Sequence, residues 1–146
     1  MDYSQLLGKK LNDLLEKIYG AENGFERVGK LADSPSLKNF FLEKAKERCH
    51  FGHELKIEMM KFNQEIKENV GSAGTLQQGW MDFSMNRNES VFGEAILAEG
   101  AALDCYREVL QEIDLPSSLE AIIRQQMNKI SNDLNIIKRL GKIAQS

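Results

Sequence analysis

Polar residues interrupt the apolar stripes expected of helices: Glu22, Glu99 and Gln126 each break one series, and Glu47 and His50 stand in the middle of another, with Arg48 and Glu54 beside them. The series Phe92, Ile96, Glu99, Leu103, Tyr106, Leu110 is apolar but for Glu99. Glu22 lies at helical spacing between Ile18 and Phe25, and Gln126 between Ile123 and Ile130. Glu47 and His50 stand three residues apart within the run Phe41, Ala45, Phe51, Leu55, with Arg48 between them and Glu54 a turn further on.

Carboxylates in a core are expensive unless a cation or a shared proton accompanies them. A metal is one such cation. Hard oxygen donors with one imidazole suit iron, manganese or zinc, and an i, i+3 pair aims both side chains at one point. The expected ligands are then Glu22, Glu47, His50 and Glu99, with Gln126 as a neighbour. The guanidinium of Arg48 is the other. Through charge-assisted hydrogen bonds it would hold Glu22, Glu99 and Glu54 in a structural network with no metal at all. Both alternatives stand at this point.

The elements that must position these residues are four amphipathic helices, expected at about 4–31, 35–66, 90–113 and 117–141. Ser34-Pro35 is expected to cap and start the second, and Ser117-x-x-Glu120 to form a capping box on the fourth. Short links make the first and second helices one antiparallel hairpin, and the third and fourth another. Residues from about 67 to 88 join the hairpins, and at ~3.3 Å each they can cross a helix of roughly 42 Å. A loop of that length calls for an end-to-end crossover that leaves the second and third helices parallel. Within it Leu76, Trp80, Met81 and Phe83 are expected to form a short helix anchored by Trp80. The expected fold is an all-α four-helix bundle in one domain.

Composition narrows the classes. With 146 residues, 28% charged, net charge −3 and only two prolines, a sheet protein or a disulfide framework is excluded. Lys and Arg alternate with Glu along the chain, so a basic nucleic-acid footprint is absent. No apolar run reaches the length of a signal peptide or a spanning helix, and no membrane partner is expected. Cys49 and Cys105 are expected as free thiols, which with the missing leader points to the cytoplasm.

The chain resembles the ferritin-like superfamily through Glu22, the run Glu47-Arg48-Cys49-His50, Glu99 and Gln126, one set per helix. That order is similar to a ferroxidase centre. The resemblance implies iron, and at most a ferroxidase-like or peroxide-reactive metal oxidoreductase. Members with a second Glu-x-x-His on the last helix differ, because this chain has Gln126-Met127-Asn128-Lys129 there. A closer resemblance is to a small bacterial family of ferritin-like bundles without established activity. It rests on Leu11-Asn-Asp-Leu-Leu-Glu, Tyr19-Gly-Ala-Glu22-Asn-Gly-Phe25, Phe51-Gly-His-Glu54-Leu55, Gly79-Trp80-Met81-Asp82 and Ala101-Ala-Leu-Asp-Cys-Tyr106-Arg-Glu. The second expectation for function is a metal-free, stress-related bundle that acts by self-association or through a protein partner. A homodimer through the first and second helices would use Leu6, Leu15, Phe40, Leu42 and Ile57. A closed storage cage is not expected, since no fifth-helix pattern precedes Ser146.

Overall fold

Helix starts and stops follow local chemistry. The Asp2 carboxylate accepts from the Gln5 N–H while the Gln5 side chain accepts from the Asp2 N–H, a capping box on the first helix. Ser34 Oγ accepts from Leu37 N–H at 3.1 Å and Pro35 occupies the first helical position, as its fixed φ favours. The computed structural model describes residues 2–67 and 87–145. Among them are four helices, α1 (Tyr3–Leu31), α2 (Pro35–Lys61), α3 (Arg87–Glu112) and α4 (Ser117–Gln145), and no strand. The Trp80 segment expected within the crossover lies outside the described residues.

Two boundaries differ from expectation. The second helix stops at Lys61 rather than near Ile66. Asn63 takes φ 57°, the left-handed region that asparagine tolerates better than most residues. Gln64 N–H then donates to Met59 O at 2.9 Å and Asn63 N–H to Met60 O at 3.1 Å, closing a Schellman turn. Ser117 is already the first residue of α4, and the Pro116 carbonyl accepts from Glu120 N–H at 2.9 Å, so the cap lies one residue earlier.

Past the Schellman turn the chain doubles back along α1. The buried Asn12 amide donates to Glu65 O at 2.9 Å and accepts from Lys67 N–H at 3.0 Å, gripping the backbone as a strand neighbour would. A Cβ at Gly8 would meet the flexible end of the Gln64 side chain rather than this backbone.

The helices pack as a ring in which α1 touches α2 and α3, and α4 touches α3 and α2. Tyr3 Oη donates to Asp114 O and Lys10 pairs with Glu112, so the start of α1 meets the end of α3. Ser118 Oγ donates to Glu58 and Lys44 Nζ to Asp133, so α2 and α4 also run in opposite directions. It follows that α2 and α3, across the diagonal, point the same way.

Two apolar clusters fill the interior. The larger gathers Leu11, Leu14, Ile18, Leu55, Tyr106, Ile123 and Ile130, and the smaller gathers Phe25, Val28, Phe41, Phe92 and Ile137. Each wholly buried Leu or Phe contributes about 1.5–3 kcal/mol. Leu15 is fully enclosed in the larger cluster and therefore offers nothing to a dimer surface, whereas Ile57 is exposed. Between the clusters runs a polar layer.

Candidate functional site

The buried positions of α2 are Phe41, Ala45, Arg48, Phe51, Gly52, Leu55, Glu58 and Met59. At about 100° per residue, Arg48 falls on the same inward line as its apolar neighbours. Its guanidinium touches every helix. Arg48 Nη1 donates to Glu47 Oε1 at 2.6 Å, and Nη2 donates to Glu99 Oε2 on α3 at 2.5 Å and to Asp133 Oδ2 on α4 at 3.2 Å. Its Cζ lies 5.5 Å from the Phe25 ring of α1 and 5.2 Å from the Phe51 ring.

Two lysines complete the layer. Lys44 Nζ and Lys129 Nζ each donate to Asp133 Oδ1 at 2.9 Å, and Lys129 also pairs with Glu47 at 3.3 Å. Arg48, Lys44 and Lys129 thus balance Glu47, Glu99 and Asp133, so the layer carries no net formal charge.

Burial acts on each acid differently. It raises the Glu99 carboxyl above its ordinary range, and the Arg48 charge and hydrogen bond only partly oppose it. Burial would also raise Asp133, but Glu47, Lys44, Lys129 and Arg48 outweigh it and hold that carboxyl at about 2. Arg48 stays firmly charged: burial works against it, and Glu99 above all overcomes that. Arg48 Nε and Glu99 Oε1 are closed to solvent with no hydrogen-bond partner among the described residues.

Below the layer, the buried Tyr106 Oη donates to Gln126 Oε1 at 2.6 Å. Gln126 Nε2 donates to Phe51 O at 3.2 Å and to Glu54 Oε1 at 3.1 Å. Burial pushes the Tyr106 phenol well above its usual range, so it remains a donor. Gln126 is fully engaged in this relay.

The expected metal ligands are therefore not brought to one point. Glu47 and Glu99 meet on Arg48, and Gln126 serves Tyr106. Glu22 is half-buried between α1 and α2, where its carboxylate takes the Cys49 thiol as a partner; burial raises it, and the thiol partly offsets this. His50 turns outward with its side chain 71% exposed, 3.9 Å from Glu54. Two residues beyond Arg48, it sits about 200° around the helix from the inward line. Of the network expected around Arg48, Glu99 is present, while Glu22 bonds elsewhere and Glu54 joins the Gln126 relay.

Among the described residues no group of three or more His, Cys, Asp or Glu side chains is placed to hold a metal ion. The Arg48 guanidinium occupies the point where oxygens of Glu47, Glu99 and Asp133 converge. Sequence reasoning missed Asp133, Lys44 and Lys129. The signal for Asp133 was available, since Gln126, Ile130, Asp133 and Ile137 form one 3–4 spaced series.

Residues 7–112 match the family model described as Domain of unknown function (DUF2383). The chain belongs to this family. A comparison with curated proteins gives no match. The DUF2383 span begins at Leu7 and ends on the last residue of α3, so Glu47, Arg48 and Glu99 lie inside it. Asp133, Lys129 and Gln126 come from α4, beyond it. Among the described residues no helix is long and apolar enough to cross a membrane.

Proposed function

We propose that this DUF2383 protein is a cytoplasmic, ferritin-like four-helix bundle that acts as a non-enzymatic scaffold. Its centre is held by the Arg48 layer in place of a metal, and it works through its surfaces, by self-association or by engaging a protein partner. One observation carries the reading: the Arg48 guanidinium sits 2.5 Å from Glu99, where an iron centre would need open oxygens. Support for the ferritin-like arrangement comes from the antiparallel neighbours and the common direction of α2 and α3.

A competing reading places iron or manganese on Glu47 and Glu99, and the unpartnered Glu99 Oε1 favours it. Metal analysis of protein purified without chelators and then loaded with iron decides between them. Well under one equivalent is expected. One equivalent or more, lost in Glu99→Leu, would overturn the scaffold reading.

A further inference from the structure

The chain contains two histidines, His50 and His53, and both are exposed on one turn of α2, away from the core. Residues three apart on a helix have Cβ atoms about 5–6 Å apart, so two imidazoles can close on one ion at zinc–nitrogen distances of ~2.0–2.1 Å. The carboxylate of Glu54 is fixed by Gln126 through one oxygen, and its other oxygen stands 3.9 Å from His50 Nε2. It is placed to take the second ring proton of a metal-bound imidazole, as such carboxylates commonly do.

We propose that His50 and His53 form half of a zinc(II) site that a second copy of this chain completes, the two α2 helices packing antiparallel. A single chain supplies two imidazoles where zinc takes four ligands, and among the described residues no third His, Cys, Asp or Glu is grouped to close the set. A two-fold axis passing between positions 50 and 53 sets His50 of one copy opposite His53 of the other and brings four imidazoles around the ion.

The rest of the face suits this pairing. Glu43, Lys46, His50, His53, Ile57 and Met60 are all exposed and follow the alternating three-and-four spacing of a helix–helix seam. Ile57 and Met60 are 52% and 60% exposed, large apolar side chains left open to solvent among the described residues. About the same axis, Lys46 of one copy lies opposite Ile57 of the other, so its methylenes cover the apolar side chain. Glu43 comes opposite Met60 and the neighbouring Lys61, which matches charge across the seam. The metal thus supplies what a seam with so few apolar residues lacks.

This deepens the reading of the chain as a scaffold that acts through its surface. Iron uptake at Glu99 would fail that reading and leave the zinc bridge standing; absence of zinc-dependent association in an iron-free protein would do the reverse. The test is sedimentation velocity of the untagged chain, in EDTA and with increasing zinc chloride. A monomer in EDTA that becomes a dimer holding one zinc per two chains is expected. His50→Ala and His53→Ala should each reduce zinc-dependent association by at least tenfold, and both positions are exposed, so far-UV circular dichroism should stay unchanged. Ile57→Lys should weaken the zinc dimer about fivefold and keep the metal stoichiometry. Cobalt(II) should give the intense visible bands of a tetrahedral site. A chain that stays monomeric at two equivalents of zinc, or one that associates equally in EDTA with both histidines replaced, would overturn the proposal.

Discussion

Arg48 Nη2 donates to Glu99 Oε2 at 2.5 Å across the diagonal of the helix ring, between side chains that are 1% and 0% exposed. The two helices they belong to, α2 and α3, are not neighbours. The Phe41–Phe92 ring pair at 5.9 Å is a second crossing of that diagonal, in the smaller apolar cluster. Ring pairs tolerate sliding, whereas a guanidinium bound to carboxylates on three helices does not. A buried ion pair is weak evidence for stability. In this protein it fixes register: sliding α3 by one turn would carry Glu99 about 5.4 Å out of reach.

Removing one partner should therefore cost more than removing both. Glu99→Leu takes away the nearest carboxylate of a buried arginine and is expected to destabilise the fold by about 3 kcal/mol. The double variant Arg48→Met/Glu99→Leu replaces the diagonal with apolar contact and should lie closer to the parent than Glu99→Leu does. Urea denaturation of the parent, both single variants and the double variant gives the coupling. A Glu99→Leu protein more stable than the parent would show that Glu99 is not paired.

The same layer sets a pH profile with two limbs. Asp133 has a folded pKa of about 2 against an ordinary 3.8, so between these values the unfolded chain binds more protons. Stability should rise by about 2 kcal/mol as the pH climbs from 2 to 4. The folded pKa of Glu99 is shifted the other way, above 4.5, so its contribution is complete below 4.5 and declines as the pH rises past it. Thermal unfolding across pH should show Asp133→Asn flattening the acid limb, with Glu99→Gln flattening the decline above it.

The four helices and both hairpins were legible because periodicity and the Ser34-Pro35 start are local properties. Glu99 and Gln126 were legible as inward polar residues because each interrupts an otherwise apolar series. The orientation of α2 was not. Its apolar residues leave a gap from Ala45 to Phe51, and the residue that fills the helical spacing is an arginine, the type least expected inside. Reading Glu47 and His50 as inward placed the histidine about 200° from where it lies. Asp133 was hidden by the apolar Leu134 beside it. Ile66 does pack against the core, but from irregular backbone, which is why it drew the expected end of α2 too far.

Both cysteines should be sluggish thiols. Burial raises Cys105 to about 11, and burial together with the neighbouring Glu22 carboxylate raises Cys49. At pH 8 the Cys105 thiolate is scarcer than in an unfolded chain by roughly a hundredfold, and alkylation by iodoacetamide should slow in proportion. Glu22→Gln removes the charge that disfavours the Cys49 thiolate and should speed alkylation at Cys49, leaving Cys105 unchanged. Peptide mass spectrometry over time reads both rates.

Asn63 holds the left-handed position that ends α2. Asn63→Gly should keep the turn with stability within about 0.5 kcal/mol of the parent, since glycine takes that region freely. Asn63→Val places a β-branched residue there and should cost about 1–2 kcal/mol in urea denaturation. Equal stability of the two variants would mean that the Schellman turn does not control the helix end.

Asn12 is the residue through which α1 grips the segment after that turn. Its amide spans Glu65 O and Lys67 N–H and also donates to Gly8 O at 2.9 Å, all within a site 7% exposed. Asn12→Leu keeps the bulk and removes all three bonds, leaving backbone groups of residues 65 and 67 without this partner. The expected loss is about 1–3 kcal/mol, confined to this end of the molecule. Hydrogen exchange should show the Lys67 amide losing its protection, with the middle of α3 and α4 unchanged beyond the global shift. Asn12→Asp separates the two roles of the amide. The carboxylate still accepts from Lys67 N–H, yet it faces the carbonyls of Gly8 and Glu65 without a proton to give them. Asn12→Asp should therefore keep Lys67 better protected than Asn12→Leu does and regain stability at low pH, where the introduced carboxyl is protonated and donates again.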